Sequence, residues 1–172
     1  MRILLVEDHA GIRESLSEFL RSAGHEVVEK CNGQQALSFL KSGKVHCVLS
    51  DIQMPLLGGR ELLKRIKQSE SMKSAEVILF TGHGDIKDAV EAVRGGAYHY
   101  LTKPVDVKEL DIVLRQLETF LSMREENRKL MTRFSEEVEK ATRDIQDELA
   151  HVRTAFAREI GKSEIGVYSD SM

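Results

Sequence analysis

The 172-residue sequence has few of the features that mark several classes of protein. Its two cysteines, Cys31 and Cys47, are isolated and lack the spacing of a metal site, so we interpret them as small buried apolar residues. A net charge of -3 and a pI near 6.1 show none of the overall excess of positive charge that is typical of proteins that bind nucleic acid. No apolar run approaches the roughly 18 residues of a membrane-spanning helix. We expect a soluble, cytoplasmic protein that does not bind nucleic acid directly.

The sequence also lacks a signal peptide, a P-loop and a helix-turn-helix unit. Met1-Arg2 leads into a strand-like segment rather than a signal peptide. Gly161-Lys162-Ser163 lacks the upstream glycine and the strand of a phosphate-binding P-loop. No helix-turn-helix unit is evident. These absences leave nucleotide hydrolysis by a P-loop and direct reading of DNA without support in this chain.

The first two thirds of the chain alternate short apolar segments with amphipathic ones. The pattern predicts strands at 2–6, 25–30, 45–50, 76–80 and 97–102, and helices at 11–23, 33–42, 59–70 and 86–94. Such alternation with short connections indicates a parallel sheet covered on both faces. Five repeats are too few for an eight-stranded barrel, which needs about 250 residues. The predicted fold class is therefore α/β, with an open, doubly wound sheet of five parallel strands.

Chemically active side chains follow four of these strands. Glu7 and Asp8 follow the first strand, Asp51 the third, Thr81 the fourth and Lys103 the fifth. The carboxyl ends of parallel strands share one edge, where open α/β sheets place their ligand sites. Any one of these residues alone could be a helix cap or a surface charge. Their coincidence favours a site in which crowded carboxylates bind Mg²⁺ and a hydroxyl and an ammonium stabilise a transferred phosphoryl group.

Residues 1–122 resemble the receiver domain of two-component response regulators. The motifs that carry the resemblance are Glu7-Asp8, Asp51 with Met54-Pro55 and Gly59, Thr81-Gly82, and Tyr100-Leu101-Thr102-Lys103-Pro104. The resemblance implies a flavodoxin-like sheet in the strand order 2-1-3-4-5. A local stretch, Phe80–Asp85 with Ala89-Val90 and Gly95-Gly96-Ala97, is similar to receivers of sigma54-dependent enhancer-binding activators.

The resemblance also implies a phosphoryl acceptor and a metal site. Asp51 would accept a phosphoryl group from a sensor histidine kinase. Asp8, Asp51 and the backbone carbonyl of Gln53 would bind Mg²⁺ directly, and Glu7 would act mainly through a metal-bound water. The protein would then be a signalling switch rather than an enzyme, apart from self-catalysed phosphoryl transfer and autodephosphorylation.

A second group of matched residues would respond to that chemistry. Thr81 and Lys103 would contact the phosphoryl oxygens, Tyr100 would turn inward as Thr81 moves, and the peptide bond before Pro104 would be cis. His99 departs from the family pattern, because an Asp often stands there and forms ion pairs on a dimer face built from the fourth helix, fifth strand and fifth helix. That departure argues against this particular dimer, although the receiver face remains an alternative dimer surface beside the C-terminal helix.

Two further positions lie where the family tunes the lifetime of the phosphoryl group. Gln53 and His83 stand two residues beyond Asp51 and Thr81. We interpret His83 as a residue at the rim of the site rather than an acid–base catalyst.

Beyond Pro104 the chain has no further proline, and the next glycine is Gly161. Apolar residues recur at steps of three and four through Leu110, Leu114, Leu117 and Leu121, falter at Arg124, Asn127 and Arg128, and resume at Met131, Phe134, Val138, Ala141, Ile145, Leu149, Val152 and Phe156. The first group predicts a helix on the sheet. The pattern over residues 123–160 predicts a coiled coil with a second copy, with a stutter between Ile145 and Leu149. Residues 161–172 are predicted to form a flexible tail. A hairpin, or packing on a domain outside this chain, remains an alternative.

These observations leave three functional hypotheses. The first is a phosphorylation-dependent switch that relays its state through the face of the fourth helix, fifth strand and fifth helix, and through the C-terminal helix, to a transcriptional output domain outside this chain. The second is a receiver, active or silent, that acts through protein–protein interaction alone. The third is an aspartyl-phosphate phosphatase, which is disfavoured because Gln53 replaces the second carboxylate of the Asp-x-Asp pair that haloacid-dehalogenase-like enzymes require.

Overall fold

A computed structural model describes residues 1–82, 90–91 and 93–166, with side chains to residue 157. The strands are β1 (Arg2–Val6), β2 (Glu26–Lys30), β3 (Cys47–Asp51), β4 (Glu76–Thr81) and β5 (His99–Thr102). The helices are α1 (Ala10–Ser22), α2 (Gly33–Leu40), α3 (Gly59–Gln68) and a C-terminal helix (Val107–Gly166). The helix predicted over 86–94 lies largely outside the described residues, and positions 90, 91, 93 and 94 are helical.

The five strands form one parallel sheet in the order β2-β1-β3-β4-β5, which confirms the predicted fold class and strand order. β3 lies at the centre and is buried along its whole length. It begins and ends slightly later than predicted, so that Asp51 is its last residue and pairs with Phe80 of β4. Thr81 likewise ends β4 and pairs with Thr102 of β5. The register of the strand pairs therefore places Asp51 and Thr81 at the same edge of the sheet.

Both faces of the sheet are covered by helices. Alternate residues of the central strands, such as Leu4, Val48 and Leu79, form one apolar cluster with Leu62 and Ile66 of α3. The intervening strand residues point to the opposite face, because successive side chains of a strand alternate. Apolar residues of α1 and of the first turns of the C-terminal helix are also buried; they are Leu16, Leu20, Leu110, Leu114 and Leu117. Burial on both faces explains why the strands read as nearly continuous apolar runs.

The turn after β3 brings two glycines against the end of that strand. A Cβ atom on Gly59 would lie 2.2 Å from the carbonyl oxygen of Asp51, and one on Gly58 would lie 2.8 Å from that of Ile52. The Gly59 amide donates a hydrogen bond to the Ile52 carbonyl at 3.0 Å. Only glycine permits this approach, so α3 begins directly against the backbone that carries Asp51.

The chain divides into two compact units, the first spanning Met1–Glu118 and the second starting at Thr119. The C-terminal helix continues through Gly161 to Gly166 rather than ending at the predicted residue 160. An isolated glycine within a helix costs only about 1 kcal/mol, which is insufficient to end it. Within the part of the chain that the structure describes, no helix is apolar over enough length to span a bilayer.

The close approach at Gly59 predicts a specific sensitivity to substitution. Gly59→Ala should lower the free energy of unfolding by about 2–3 kcal/mol, because the new methyl group overlaps backbone that cannot easily move. Urea denaturation followed by circular dichroism would measure the loss. Gly11→Ala is the matched control, since a Cβ there has no atom within 4 Å and α1 should gain slightly from alanine. Equal stability of the parent and Gly59→Ala would contradict the packing described.

Candidate functional site

Lys103 joins the ends of three strands at the carboxyl edge of the sheet. Its ammonium donates one hydrogen bond to Glu7 Oε2 and another to Asp51 Oδ2, each at 2.7 Å. The Glu7 side chain is 0% exposed, that of Asp51 8% and that of Lys103 19%. Two carboxylates in so little contact with water require a cation between them. The structure thus brings together three of the residues that the sequence placed at separate strand ends.

The surroundings of Lys103 and Asp8 shift the pKa values of both groups. Burial disfavours the charged form of Lys103, but its hydrogen bonds to Asp51 and Glu7 outweigh that effect and raise its pKa above the ordinary lysine value. Burial would raise the pKa of Asp8, but hydrogen bonds from His9 and from the backbone prevail and lower it. Lys103 therefore remains an ammonium and Asp8 a carboxylate at neutral pH. The site thus brings three carboxyl side chains, those of Glu7, Asp8 and Asp51, together with one ammonium.

A backbone amide and an arginine side chain support the segments that carry the carboxylates. The amide of Gln53 donates to Asp51 Oδ1 at 3.1 Å, so both oxygens of that carboxylate accept a hydrogen bond. Arg13 Nη1 of α1 donates to the carbonyl oxygens of Glu7 and Asp8 at 2.8 Å and 3.3 Å. The site is consequently supported by the loops after β1 and β3 as well as by side-chain pairing.

The remaining predicted residues flank this cluster. Thr81 is buried at the end of β4, and its carbonyl oxygen accepts a hydrogen bond from the Lys103 amide at 2.7 Å. Tyr100 is half-buried on β5, with its ring centroid 5.9 Å from that of His99. The peptide bond between Lys103 and Pro104 is cis. His83, predicted at the rim, lies outside the described residues.

His9 is a residue that the sequence analysis did not single out. Its Nδ1 lies 3.3 Å from Asp8 Oδ1 and 3.6 Å from Glu7 Oε1. One ligand atom from each of these three residues falls within 4.8 Å of the others, which is a suitable grouping for a metal ion. The available signal was its position directly after Glu7-Asp8, but sequence order alone does not say where an imidazole points.

The chemistry of this donor set fits a divalent cation. Glu7 directs one oxygen to Lys103 and the other towards the His9 side of the site. Asp8 contributes a partly exposed carboxylate, and Asp51 ends the neighbouring strand. Hard oxygen donors with an excess of negative charge are suited to Mg²⁺, which binds through one or two carboxylates and keeps several waters.

Comparison with known proteins identifies relatives over most of the first unit. The family profile described as Response regulator receiver domain matches residues 3–115. Regulatory protein AtoC of Escherichia coli is 36% identical over 129 residues, or 75% of this chain. Transcriptional regulatory protein FixJ of Bradyrhizobium diazoefficiens is 39% identical over 112 residues, or 65% of this chain. The chain spans 28% of the length of AtoC and 54% of that of FixJ.

A solved structure agrees with these sequence matches. The crystal structure of the signal receiver domain of an HD domain-containing protein from Pseudomonas fluorescens superposes with a TM-score of 0.66 at 34% identity. The match covers 73% of this chain and 91% of that one.

The bridging ammonium predicts a pH-dependent loss of stability when it is removed. Lys103→Met should lower the free energy of unfolding by about 1–3 kcal/mol at neutral pH, because Glu7 and Asp51 lose a shared cation. The folded variant should then bind more protons than its unfolded chain, so its stability relative to the parent should fall as pH rises from about 5 to 8. Urea titrations across that range would measure it, with Lys108→Met, at an exposed position, as control. A pH-independent deficit would argue against the carboxylate bridge as its cause.

Proposed function

The chain belongs to the response regulator receiver family, and from that premise we propose that it is a phosphorylation-dependent signalling switch whose Asp51 accepts a phosphoryl group. The observation that supports this most strongly is the double engagement of the Asp51 carboxylate. Lys103 contacts one of its oxygens and the Gln53 amide the other, at a sheet edge that also holds Glu7 and Asp8.

In the proposed reaction, an oxygen of Asp51 attacks the phosphorus of the donor. The donor is a phosphohistidine of a sensor histidine kinase, so a P–N bond breaks as the P–O bond of the acyl phosphate forms, and the departing imidazole takes up a proton. Lys103 lies close enough to Asp51 to neutralise charge on the incoming phosphoryl oxygens. We propose that the Thr81 hydroxyl donates a hydrogen bond to one of the same oxygens. Hydrolysis of the acyl phosphate would reset the switch.

We propose that Glu7, Asp8, Asp51 and the Gln53 carbonyl hold Mg²⁺, directly or through water. Bound there, Mg²⁺ would supply positive charge that lowers the repulsion between the carboxylates and an anionic phosphoryl donor. Asp8 suits this role because its pKa is lowered and its side chain is 26% exposed, which keeps an ionised oxygen accessible. His9 is an additional nitrogen donor at the margin of the same group.

A protein donor has an apolar surface to use beside the site. A groove of about 310 Å³ lies between α1 and the segment after β5, and it is lined by Ile12, Leu16, Pro104 and Val107 together with Lys103. Ile12 is 40% exposed there. We propose that the kinase occupies this groove when its phosphohistidine approaches Asp51.

We propose that the output of the switch is transcriptional regulation through a domain outside this chain. The support comes from two relatives, Regulatory protein AtoC and Transcriptional regulatory protein FixJ, of which this chain matches only a part, and from the resemblance to receivers of sigma54-dependent activators. The state of Asp51 would reach β5 through Thr81 and Tyr100, and the C-terminal helix beyond it.

We further propose that the C-terminal helix associates with a second copy of this chain. From Thr119 to residue 157 almost every side chain is exposed, yet the helix carries large apolar residues throughout. Phe134 is 65% exposed and Phe156 66%. A helix with so much exposed apolar surface gains stability from a partner.

Phosphorylation should depend on one carboxylate and on Mg²⁺. Incubation with a radiolabelled small acyl phosphate should label the parent chain in the presence of Mg²⁺ and leave it unlabelled in EDTA. Asp51→Asn should show at least a hundredfold less label, because an amide oxygen is a poor nucleophile. Asp147→Asn, at an exposed aspartate of the C-terminal helix, is the matched control and should label like the parent. Undiminished labelling of Asp51→Asn would refute the assignment.

Association should depend on the apolar side of the C-terminal helix. Val138→Lys places a charge among exposed apolar side chains and should raise the dissociation constant of the dimer at least tenfold. Thr132→Lys adds the same charge on another side of the helix and should leave the constant close to that of the parent. Sedimentation equilibrium of the full-length chains, with and without phosphodonor, would measure both. Monomeric behaviour of the parent in both conditions would exclude the proposed association.

A further inference from the structure

All but one of the large apolar side chains exposed in the described part of the second unit follow one continuous line, which we call the apolar stripe. The exception, Met131, is 71% exposed and lies beside the stripe, one residue after Leu130. The stripe begins with Phe120, Met123, Leu130 and Phe134, whose exposed fractions are 43%, 59%, 61% and 65%. Asn127 fills the place between Met123 and Leu130, so that the steps are three, four, three and four residues. This is the heptad pattern of a left-handed coiled coil.

Beyond Phe134 the period of the stripe changes. It continues through Val138, Ala141, Ile145, Leu149, Val152 and Phe156. Eleven residues separate Val138 from Leu149, Ala141 from Val152 and Ile145 from Phe156. An 11-residue repeat has about 3.67 residues per turn and favours a right-handed supercoil, whereas the heptad has 3.5 and favours a left-handed one. The stutter expected between Ile145 and Leu149 is thus one of two, because Phe134 to Val138 is the first.

The two periods compensate each other along the helix. A heptad seam drifts by about 20° per seven residues relative to a straight helix, and an 11-residue seam drifts by a similar angle in the other direction. From Phe120 to Phe156 the chain holds two repeats of each kind. The net drift is therefore close to zero, and the stripe runs parallel to the helix axis for roughly 54 Å.

We propose that the apolar stripe pairs with the same stripe of a second copy, parallel and in register, in a two-helix assembly that reverses its supercoil near Phe134. This inference rests on the association proposed above and specifies its geometry. An identical helix in register matches both periods at every layer, including the change between them. A partner with a single period would lose contact with the stripe on one side of Phe134.

Asn127 selects this arrangement over an antiparallel one. In a parallel pair in register, the Asn127 amides of the two copies face each other and can hydrogen-bond. In an antiparallel pair that overlaps the whole stripe, Asn127 would instead face Leu149, leaving a polar group against an apolar one. A single asparagine in such a seam is known to specify register and a two-stranded state at some cost in stability.

The charged residues near Asn127 do not interrupt the stripe. Arg128 donates to both carboxylate oxygens of Glu125, at 2.8 Å and 2.7 Å, within the same helix. The guanidinium of Arg124 lies 5.5 Å from the centroid of the Phe120 ring. The apparent break in the sequence pattern at residues 124–128 is therefore one polar layer, Asn127, with charges placed beside it.

The apolar area is sufficient for a specific dimer. Nine large apolar residues of the stripe each expose about half of their surface, or roughly 90 Å² per side chain. Their combined area, about 800 Å² per copy, equals what each partner contributes to a standard protein interface.

Disulfide trapping in the full-length chain tests the phase of the stripe. If a heptad continued beyond Ile145, the core positions would be residues 148, 152 and 155, whereas the 11-residue repeat places Phe156 there. In a Cys31→Ser background, with Cys47 fully buried, Phe156→Cys should form intermolecular disulfides at least tenfold faster than Ala155→Cys. Equal rates, or faster trapping of Ala155→Cys, would overturn the proposed period.

A second pair of variants tests direction and register. Leu130→Cys and Val152→Cys should each form a disulfide with the same residue of the second copy if the helices are parallel. An antiparallel pair would trap only positions near the centre, such as Val138→Cys, and would refute the proposal. Asn127→Leu should tighten association while admitting higher oligomers. Sedimentation and Asp51 labelling of the same samples distinguish a wrong pairing geometry from a failure of the proposed association. Labelled dimers with a different trapping pattern would contradict only the parallel, in-register geometry. Labelled monomers would contradict the association itself.

Discussion

The hydrogen-bonded bridge from Lys103 to Glu7 and Asp51 is the constraint on which the site depends. Two carboxylates this deeply buried are stable beside each other only with a cation in contact. Lys103 can reach both only if β1, β3 and β5 end at the same level, although β5 is separated from β3 by β4. The strand register and the charge pairing therefore require each other, and an error of one residue in either would leave an unpaired charge in the interior.

The backbone around this bridge connects the site to the rest of the first unit. Gly59 places the start of α3 against the Asp51 carbonyl. A shift of the end of β3 would therefore displace the start of that helix. The Lys103 amide donates to the Thr81 carbonyl, which links the ends of β4 and β5. A change of charge at Asp51 would thus act on backbone in close packing, where small displacements are transmitted rather than absorbed. This arrangement is suited to a switch.

The second unit follows a different principle. Among its residues up to 157, whose side chains the structure describes, almost all the large apolar ones are exposed, and most of them lie in a straight line along the helix. Hydrophobic periodicity predicts that line in part, but the predicted pattern falters at Arg124, Asn127 and Arg128. The structure shows where the arginines lie: Arg128 pairs with Glu125, and Arg124 lies over Phe120. The exposed line therefore begins at Phe120 and Met123, before Asn127.

The sequence by itself determined the fold class, the strand order through its family resemblance, and which residues stand at the strand ends. It could do so because strand and helix periods, glycine turns and the alternation of elements are local properties of the chain. The tertiary structure alone decided that Lys103 contacts both Glu7 and Asp51, that His9 joins the acidic group, and that Leu117 is buried while Phe120 is exposed. Those outcomes depend on distances between segments far apart in sequence, and such distances are set by packing and not by any local pattern.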